Sequence, residues 1–306
     1  MHRVRLALLS ALLAAAAPFL HAQVFAVKTN LGTRVDFEAT ALAPGGIIVA
    51  RLTAAPGVKQ VSLRLGKEMI QLGGAEERNG LEPFGLLGLD LGLKPGPQTL
   101  KLTVSYADGK TEETVASVMV EPRAFRLKKL TVPDKYVTPP RAVEDRIKQE
   151  AELLTLIYGI VTPRWLGEGP FVLPHDGAMA PNFGERRVYN GVPRSSHAGV
   201  DIAAPLGAPV RAANAGRVVL SRDLYFSGRT VIIDHGLGLL TVYCHFSELR
   251  AKRGDTVKKG QVIGLAGSTG LSTGPHLHWS ARVHQSRIDP AALVGRLNLS
   301  SGSGLR

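Results

Sequence analysis

The chain has one cysteine, Cys244, in 306 residues. A lone thiol closes no disulfide within the chain, so a small disulfide-stapled scaffold is excluded and stability must come from packing. Cys244 adjoins His245, which invites a nucleophilic Cys–His pair. On a strand, however, neighbouring side chains face opposite sides, and nothing nearby would lower the thiol pKa. Cys244 is therefore expected to fill core as a small apolar residue. Long apolar runs are also scarce. The one present, residues 6–20, is broken by Pro18 and falls short of the roughly 20 residues that a membrane-spanning helix needs. It follows a basic opening, Met1-His2-Arg3-Val4-Arg5, and leads to Ala22, the pattern of an export signal over residues 1–22. No cysteine stands directly after it, so a lipoprotein anchor is not expected. The mature chain is expected to lack a transmembrane anchor and to work outside the cytoplasm, in the periplasm or at the cell envelope.

Acids are short against bases, 25 against 37, and the net charge is +12. Removing residues 1–22 takes away Arg3 and Arg5 and no acid, which lowers the +12 to +10. There is no basic helix, zinc-finger spacing or aromatic-studded basic sheet, so nucleic acid is not expected as a partner. A polyanionic cell wall or anionic lipid suits such an excess, as does a plainly solvated surface.

What is present divides the chain. Residues 23–125 read as a β-sandwich-like accessory domain, with strands expected at 47–52, 58–65, 86–91, 100–106 and 113–120. Val61, Leu63 and Leu65 alternate with polar residues, as do Leu100, Leu102, Val104 and Tyr106, the mark of antiparallel sheets with one buried face. Ala107-Asp108-Gly109-Lys110 is a hairpin signal. This part holds no convergent acids or histidines, so positioning, autoinhibition or contact with a protein regulator is its expected role, beside that of a mere spacer. Thr138-Pro139-Pro140 breaks the pattern within a linker, residues 126–168. A helix is expected over 141–158, with Val143, Ile147, Ala151, Leu154 and Tyr158 on one face and Gly159 as its stop. Strands return in a second domain, residues 169–298, followed by a flexible tail, 299–306.

The second domain carries the chemistry. Gly274-Pro275-His276-Leu277-His278 closes a glycine-rich loop and opens a strand, which puts His276 and His278 on one face. His197-Ala198-Gly199-Val200-Asp201 spaces His197 and Asp201 by four, so the two converge on a helix or a strand alike. His245 adds one more imidazole. Histidine and aspartate are zinc-type ligands, and three protein ligands plus a water is the usual catalytic arrangement.

This combination resembles the lysostaphin/LytM-type zinc metallopeptidases, which cut peptidoglycan cross-links. The likeness extends through Phe183-Gly184-Glu185-Arg186-Arg187, Asn190-Gly191 and Asp234-His235-Gly236-Leu237-Gly238 and covers roughly residues 171–290. It implies a C-terminal antiparallel domain of the hybrid-barrel type, which with the N-terminal β-sandwich-like domain and helical linker read above makes a mainly β architecture. It implies one Zn²⁺ per chain held by His197, Asp201 and His278, with His245 and His276 as off-metal catalytic residues beside the bound water, and a peptidoglycan peptide as substrate. Arg187, Asn190 and Tyr243 are candidates to line the cleft, and the Asn190 amide could occupy the water position in a latent form. His235 is expected to be structural. Residues 253–264 also resemble the hairpin of lipoyl and biotinyl carriers but lack a modifiable lysine in the required setting. Regulators of cell-wall amidases that share this fold are the other alternative. They typically lack metal ligands, whereas all five site residues stand here.

Overall fold

The computed structural model describes residues 23–54, 57–73 and 83–295. The expected export signal, the tail and residues 296–298 of the expected second domain lie outside the described residues. The fold is mainly β, as the sequence predicts. Strands β1 (Gln23–Lys28), β2 (Arg34–Ala39), β3 (Ile47–Ala54), β4 (Val58–Leu65), β5 (Glu68–Gly73), β6 (Phe84–Gly88), β7 (Gly96–Tyr106) and β8 (Thr111–Val120) make two antiparallel sheets. One runs β1-β2-β3-β6 and the other β5-β4-β7-β8. Strands β1, β2 and β5 were not foreseen, and the strand expected at 86–91 forms two residues earlier. Period-two alternation sends Phe37, Ile48, Leu63, Leu87 and Leu102 into the core between the sheets.

The two halves of the chain share a second core. Ile47 and Val49 of β3, with Phe84 and Leu86 of β6, point away from the sandwich and pack with Phe171, Val283, Ile288 and Leu293. Burial on both faces explains why β3 opens as an uninterrupted apolar run, Ile47-Ile48-Val49-Ala50. Polar bonds flank this seam. The Arg287 guanidinium forks onto Asp90 (Nη2–Oδ1 2.7 Å, Nε–Oδ2 3.0 Å), and Ser286 Oγ donates to Glu68 Oε1 at 2.5 Å.

The linker is built in as well. Strand β9 (Leu127–Leu130) runs parallel to β10 (Arg186–Tyr189), which pairs on its other side with β11 (Val192–Pro193). After a 3-10 turn at Arg141–Val143, helix α1 spans Glu144–Tyr158 and ends at Gly159. Pro139-Pro140 bars helical backbone just upstream, and Glu144 and Asp145 in the first turn complement the helix dipole. Leu154 and Tyr158 of the expected face pack on the sheet, but Ala151 is exposed, and Ile157 and Glu150 are buried in its stead. Ile157 packs on Leu220, Leu224, Ile232, Leu240, Val242 and Cys244. Glu150 is satisfied by the Arg146 Nε and the Tyr225 N–H, each at 2.7 Å.

The second half is a mainly antiparallel sheet. Strands β12 (Gly199–Ile202), β13 (Pro209–Arg211), β14 (Gly216–Leu224), β15 (Gly228–Asp234), β16 (Leu239–Phe246), β17 (Glu248–Leu249), β18 (Thr256–Val257), β19 (Val262–Leu265), β20 (Leu277–Val283) and β21 (Ser286–Ile288) complete the set. The large sheet runs β12-β20-β16-β15-β14-β18, with β21 beside the end of β20, and β13-β19-β17 form a small one. The described strands do not close into a barrel. Every residue of β16 is buried, between α1 on one face and the shared core on the other.

Candidate metal centre

Three neighbouring pieces of chain bring the donors together. In the β12–β20 pair, Asp201 stands directly opposite His278. His197 precedes β12 and is tied to the turn at 182–185, its N–H donating to the Glu185 carbonyl at 2.9 Å. Close approach of β12 to β20 requires Gly199: a Cβ there would lie 2.4 Å from the Trp279 carbonyl oxygen and 2.9 Å from the His278 ring. His197 Nε2 then lies 2.8 Å from His278 Nδ1 and 3.1 Å from Asp201 Oδ1, with His278 Nδ1 3.0 Å from the same oxygen.

The donor chemistry fits a metal. His197 Nδ1 lies 3.0 Å from the Asn182 carbonyl, which can only accept, so the proton sits there and the Nε2 lone pair faces the other two ligand atoms. Bonds of about 2.0–2.1 Å at tetrahedral angles put ligand atoms about 3.3 Å apart, close to these separations. Burial works to raise the Asp201 carboxyl, but the adjacent His197 and His278 rings outweigh it and hold the group well below the usual carboxylate range. Burial pushes His278 down to about 4 against the pull of Asp201. Anionic carboxylate and neutral imidazole are the forms that bind metal.

Two further imidazoles face the same space. His245 Nδ1 donates to the Thr269 carbonyl and His276 Nδ1 to the Gly274 carbonyl, each at 2.8 Å, leaving both Nε2 atoms as lone pairs toward the centre. His276 Nε2 is 3.6 Å from Asp201 Oδ1, and the His245 and His276 ring centroids are 4.8 Å apart. A β-bulge aims His245. Arg229 pairs with Phe246 and Val231 with Tyr243, so Cys244 and His245 together oppose Thr230. His245 adopts φ 67°, a strained conformation for a non-glycine residue, which turns its ring to the cleft while Cys244 stays in core. Burial, with His278 and His276 alongside, pushes His245 down to about 3, so it is neutral at neutral pH. Burial pushes the Cys244 thiol up to about 12, which removes it as a nucleophile.

Of the three cleft candidates, the structure places only Arg187 at the site, its Nη2 3.2 Å from Asp201 Oδ2. Asn190 is a correction. Its Oδ1 accepts from the Val132 N–H at 3.0 Å, and its Nδ2 donates to the Val132 carbonyl and to Asp134, so the amide is spent on the linker. Tyr243 is the second correction. It is fully buried, and its hydroxyl accepts from the Ala213 N–H at 2.9 Å. Two-residue alternation would set it beside His245, and the bulge breaks that alternation. His235 is structural, with Nδ1 2.7 Å from the Ala215 carbonyl, Nε2 2.7 Å from Thr241 Oγ1, and burial pushing it down to about 4.

Sequence reading missed Asn182. Its Nδ2 donates to Asp201 Oδ2 at 2.9 Å, its Oδ1 accepts from the Asp201 N–H at 3.1 Å, and its carbonyl orients His197. The turn-forming run Pro181-Asn182-Phe183-Gly184 was the available signal.

A half-buried His–Asp–His cluster with two tautomer-fixed imidazoles on an antiparallel sheet defines a metallopeptidase. The sequence profile of peptidase family M23 matches residues 195–290. A solved structure, a putative peptidase M23 from Pseudomonas aeruginosa, aligns at TM-score 0.62 and 31% identity over 83% of this chain and 95% of that one. The chain belongs to peptidase family M23, which bears out the resemblance read from the sequence. Among curated proteins, the peptidoglycan DD-endopeptidase ShyA of Vibrio cholerae is 42% identical over 102 residues, 33% of this chain and 24% of its own. The DD-carboxypeptidase/endopeptidase Mpg of Neisseria meningitidis is 42% identical over 98 residues, 32% of this chain and 23% of its own. The match thus spans about a quarter of each curated relative's length.

Proposed function

We propose that the chain is a zinc-dependent endopeptidase that hydrolyses peptide cross-links of cell-wall peptidoglycan and works at the cell envelope. The observation that carries the reading is the trio of donor atoms 2.8–3.1 Å apart, with two further imidazole lone pairs turned toward them. Relatives named as peptidoglycan endopeptidases support the substrate class. His197, Asp201 and His278 would hold the ion. When bound, zinc supplies Lewis-acid polarisation of the scissile carbonyl and acidifies the attacking water.

The remaining chemistry belongs to side chains. A neutral imidazole whose free Nε2 faces the cleft can take the water's proton, and once protonated it can donate to the developing oxyanion or the leaving amine. His245 and His276 share that geometry and divide these duties between them. Arg187 and Asn182 hold the Asp201 carboxylate in place from its outer oxygen. The test is to incubate the zinc-loaded chain with purified sacculi, with and without chelator, and to identify the soluble products by mass spectrometry. A rise in un-cross-linked muropeptides after muramidase digestion of the treated sacculi, only without chelator, supports the reading, and unchanged cross-linking under both conditions refutes it.

A further inference from the structure

The groove beside the metal centre has a wall that the family-matched stretch does not supply. Lys128 of β9 lies opposite Arg187 of β10. Strand alternation turns Arg126, Lys128 and Leu130 into the groove and leaves Leu127 and Lys129 facing away. The Arg186 N–H donates to the Arg126 carbonyl at 2.8 Å, and the Asn190 amide grips both backbone groups of Val132. Further on, the Tyr136 hydroxyl donates to the Gly270 carbonyl at 2.7 Å, on the glycine loop. The segment is therefore held along its length and forms a fixed side of the groove.

Its charges are arranged at a cost. Like charges on facing positions of neighbouring strands are unfavourable, and Lys128 and Arg187 are such a pair. Arg187 has partial relief from Asp201, yet its Nε is buried and makes no hydrogen bond. Neither Arg126 nor Lys128 forms an ion pair with any described residue. Asp201 is committed to the metal centre, which leaves Glu185 as the one other acid lining the groove. Three cations on one wall, two of them without an ion-pair partner among the described residues, are what a carboxylate would satisfy through charge-assisted bonds.

We propose that Arg126, Lys128 and Arg187 form a subsite for a free carboxylate of the substrate peptide, so that the groove takes acidic peptides in preference to their amidated forms. The proposal rests on the peptidase reading for its ligand class, and it makes the linker part of substrate recognition.

Binding and turnover together test it on the full, zinc-loaded chain. The first probe is the tetrapeptide stem of peptidoglycan with its carboxyl groups free, against the same peptide with carboxamides, measured by calorimetry. The second is the corresponding cross-linked dimer in both forms, followed by chromatography. The free-carboxylate form is expected to bind about tenfold more tightly, as a charge-assisted bond requires, and less so at high salt. In Arg126→Gln/Lys128→Gln the preference should shrink to about twofold, appearing in KM more than in kcat. Lys129→Gln, on the opposite face of the same strand, should keep the wild-type preference. Equal affinity for the two forms in the wild type, no binding of either, or a preference that survives in the double variant overturns the subsite. Hydrolysis of both dimers with equal KM would refute the subsite and leave the peptidase standing. Discriminating binding without hydrolysis would do the reverse.

Discussion

Asn182→Ala separates support of the metal site from the metal site itself. The substitution removes the Nδ2 donor 2.9 Å from Asp201 Oδ2 and the Oδ1 acceptor 3.1 Å from the Asp201 N–H. It leaves the backbone carbonyl that fixes the His197 tautomer, and Arg187 still reaches Asp201 Oδ2 at 3.2 Å. A hydrogen bond to a charged group contributes about 1.5–3 kcal/mol and a neutral one about 0.5–1.5. Loss of a partner that orients a ligand typically weakens metal affinity about 10–100-fold. Zinc affinity measured by chelator competition should fall within that range, and the metal-free protein should lose about 2 kcal/mol. Asn182→Asp should do worse than alanine, because it sets a second anion against Asp201 Oδ2. Zinc affinity unchanged in the alanine variant, with only stability lost, would refute the argument.

Three other outcomes follow from the structure. Asp201→Ala should abolish stoichiometric zinc, whereas His245→Ala and His276→Ala should retain it and lose most turnover, about 10²-fold or more; elemental analysis beside a turnover assay distinguishes them. Burial lowers His235 from 6.5 to about 4, so the native state resists its protonation while the unfolded chain accepts it. Its contribution is complete above about pH 6.5 and is lost as pH falls toward 4, a decline of up to about 3 kcal/mol; denaturant titrations across that window should show a shallower decline for His235→Gln. Phe84→Ala opens a cavity in the core that the two halves share and should cost about 3–5 kcal/mol. A single lowered unfolding transition for the whole chain is expected in calorimetry, and a separate, unshifted transition for the second half would contradict the shared core.

The site was legible because its residues come in short-range pairs. His197 and Asp201 are spaced by four and His276 and His278 by two, and each pair converges although His197 and His276 stand just before β12 and β20. The alternation of β4 and β7 was readable for the same reason. What stayed hidden depends on packing that no local period records. The bulge at Cys244 and His245 is set by pairing with β15, and it is why Tyr243 went to the core while His245 reached the cleft. The working face of α1 is fixed by the sheet beneath it, which accommodates Glu150 through the Tyr225 N–H and leaves Ala151 outside. Strand β9, with two lysines in four residues, has no apolar period of its own and exists through its pairing with β10. Asn190 was drawn to that same linker by hydrogen bonds across 58 positions of sequence.

The most direct measurement is a zinc titration of the chelator-stripped chain, with bound metal and the loss of peptide cross-links in purified sacculi read from the same samples. Activity should return in proportion to zinc and saturate at one ion per chain, while His276→Ala should bind that ion and remain silent. Full activity in stripped protein, or a wild-type chain that binds no zinc, would contradict it.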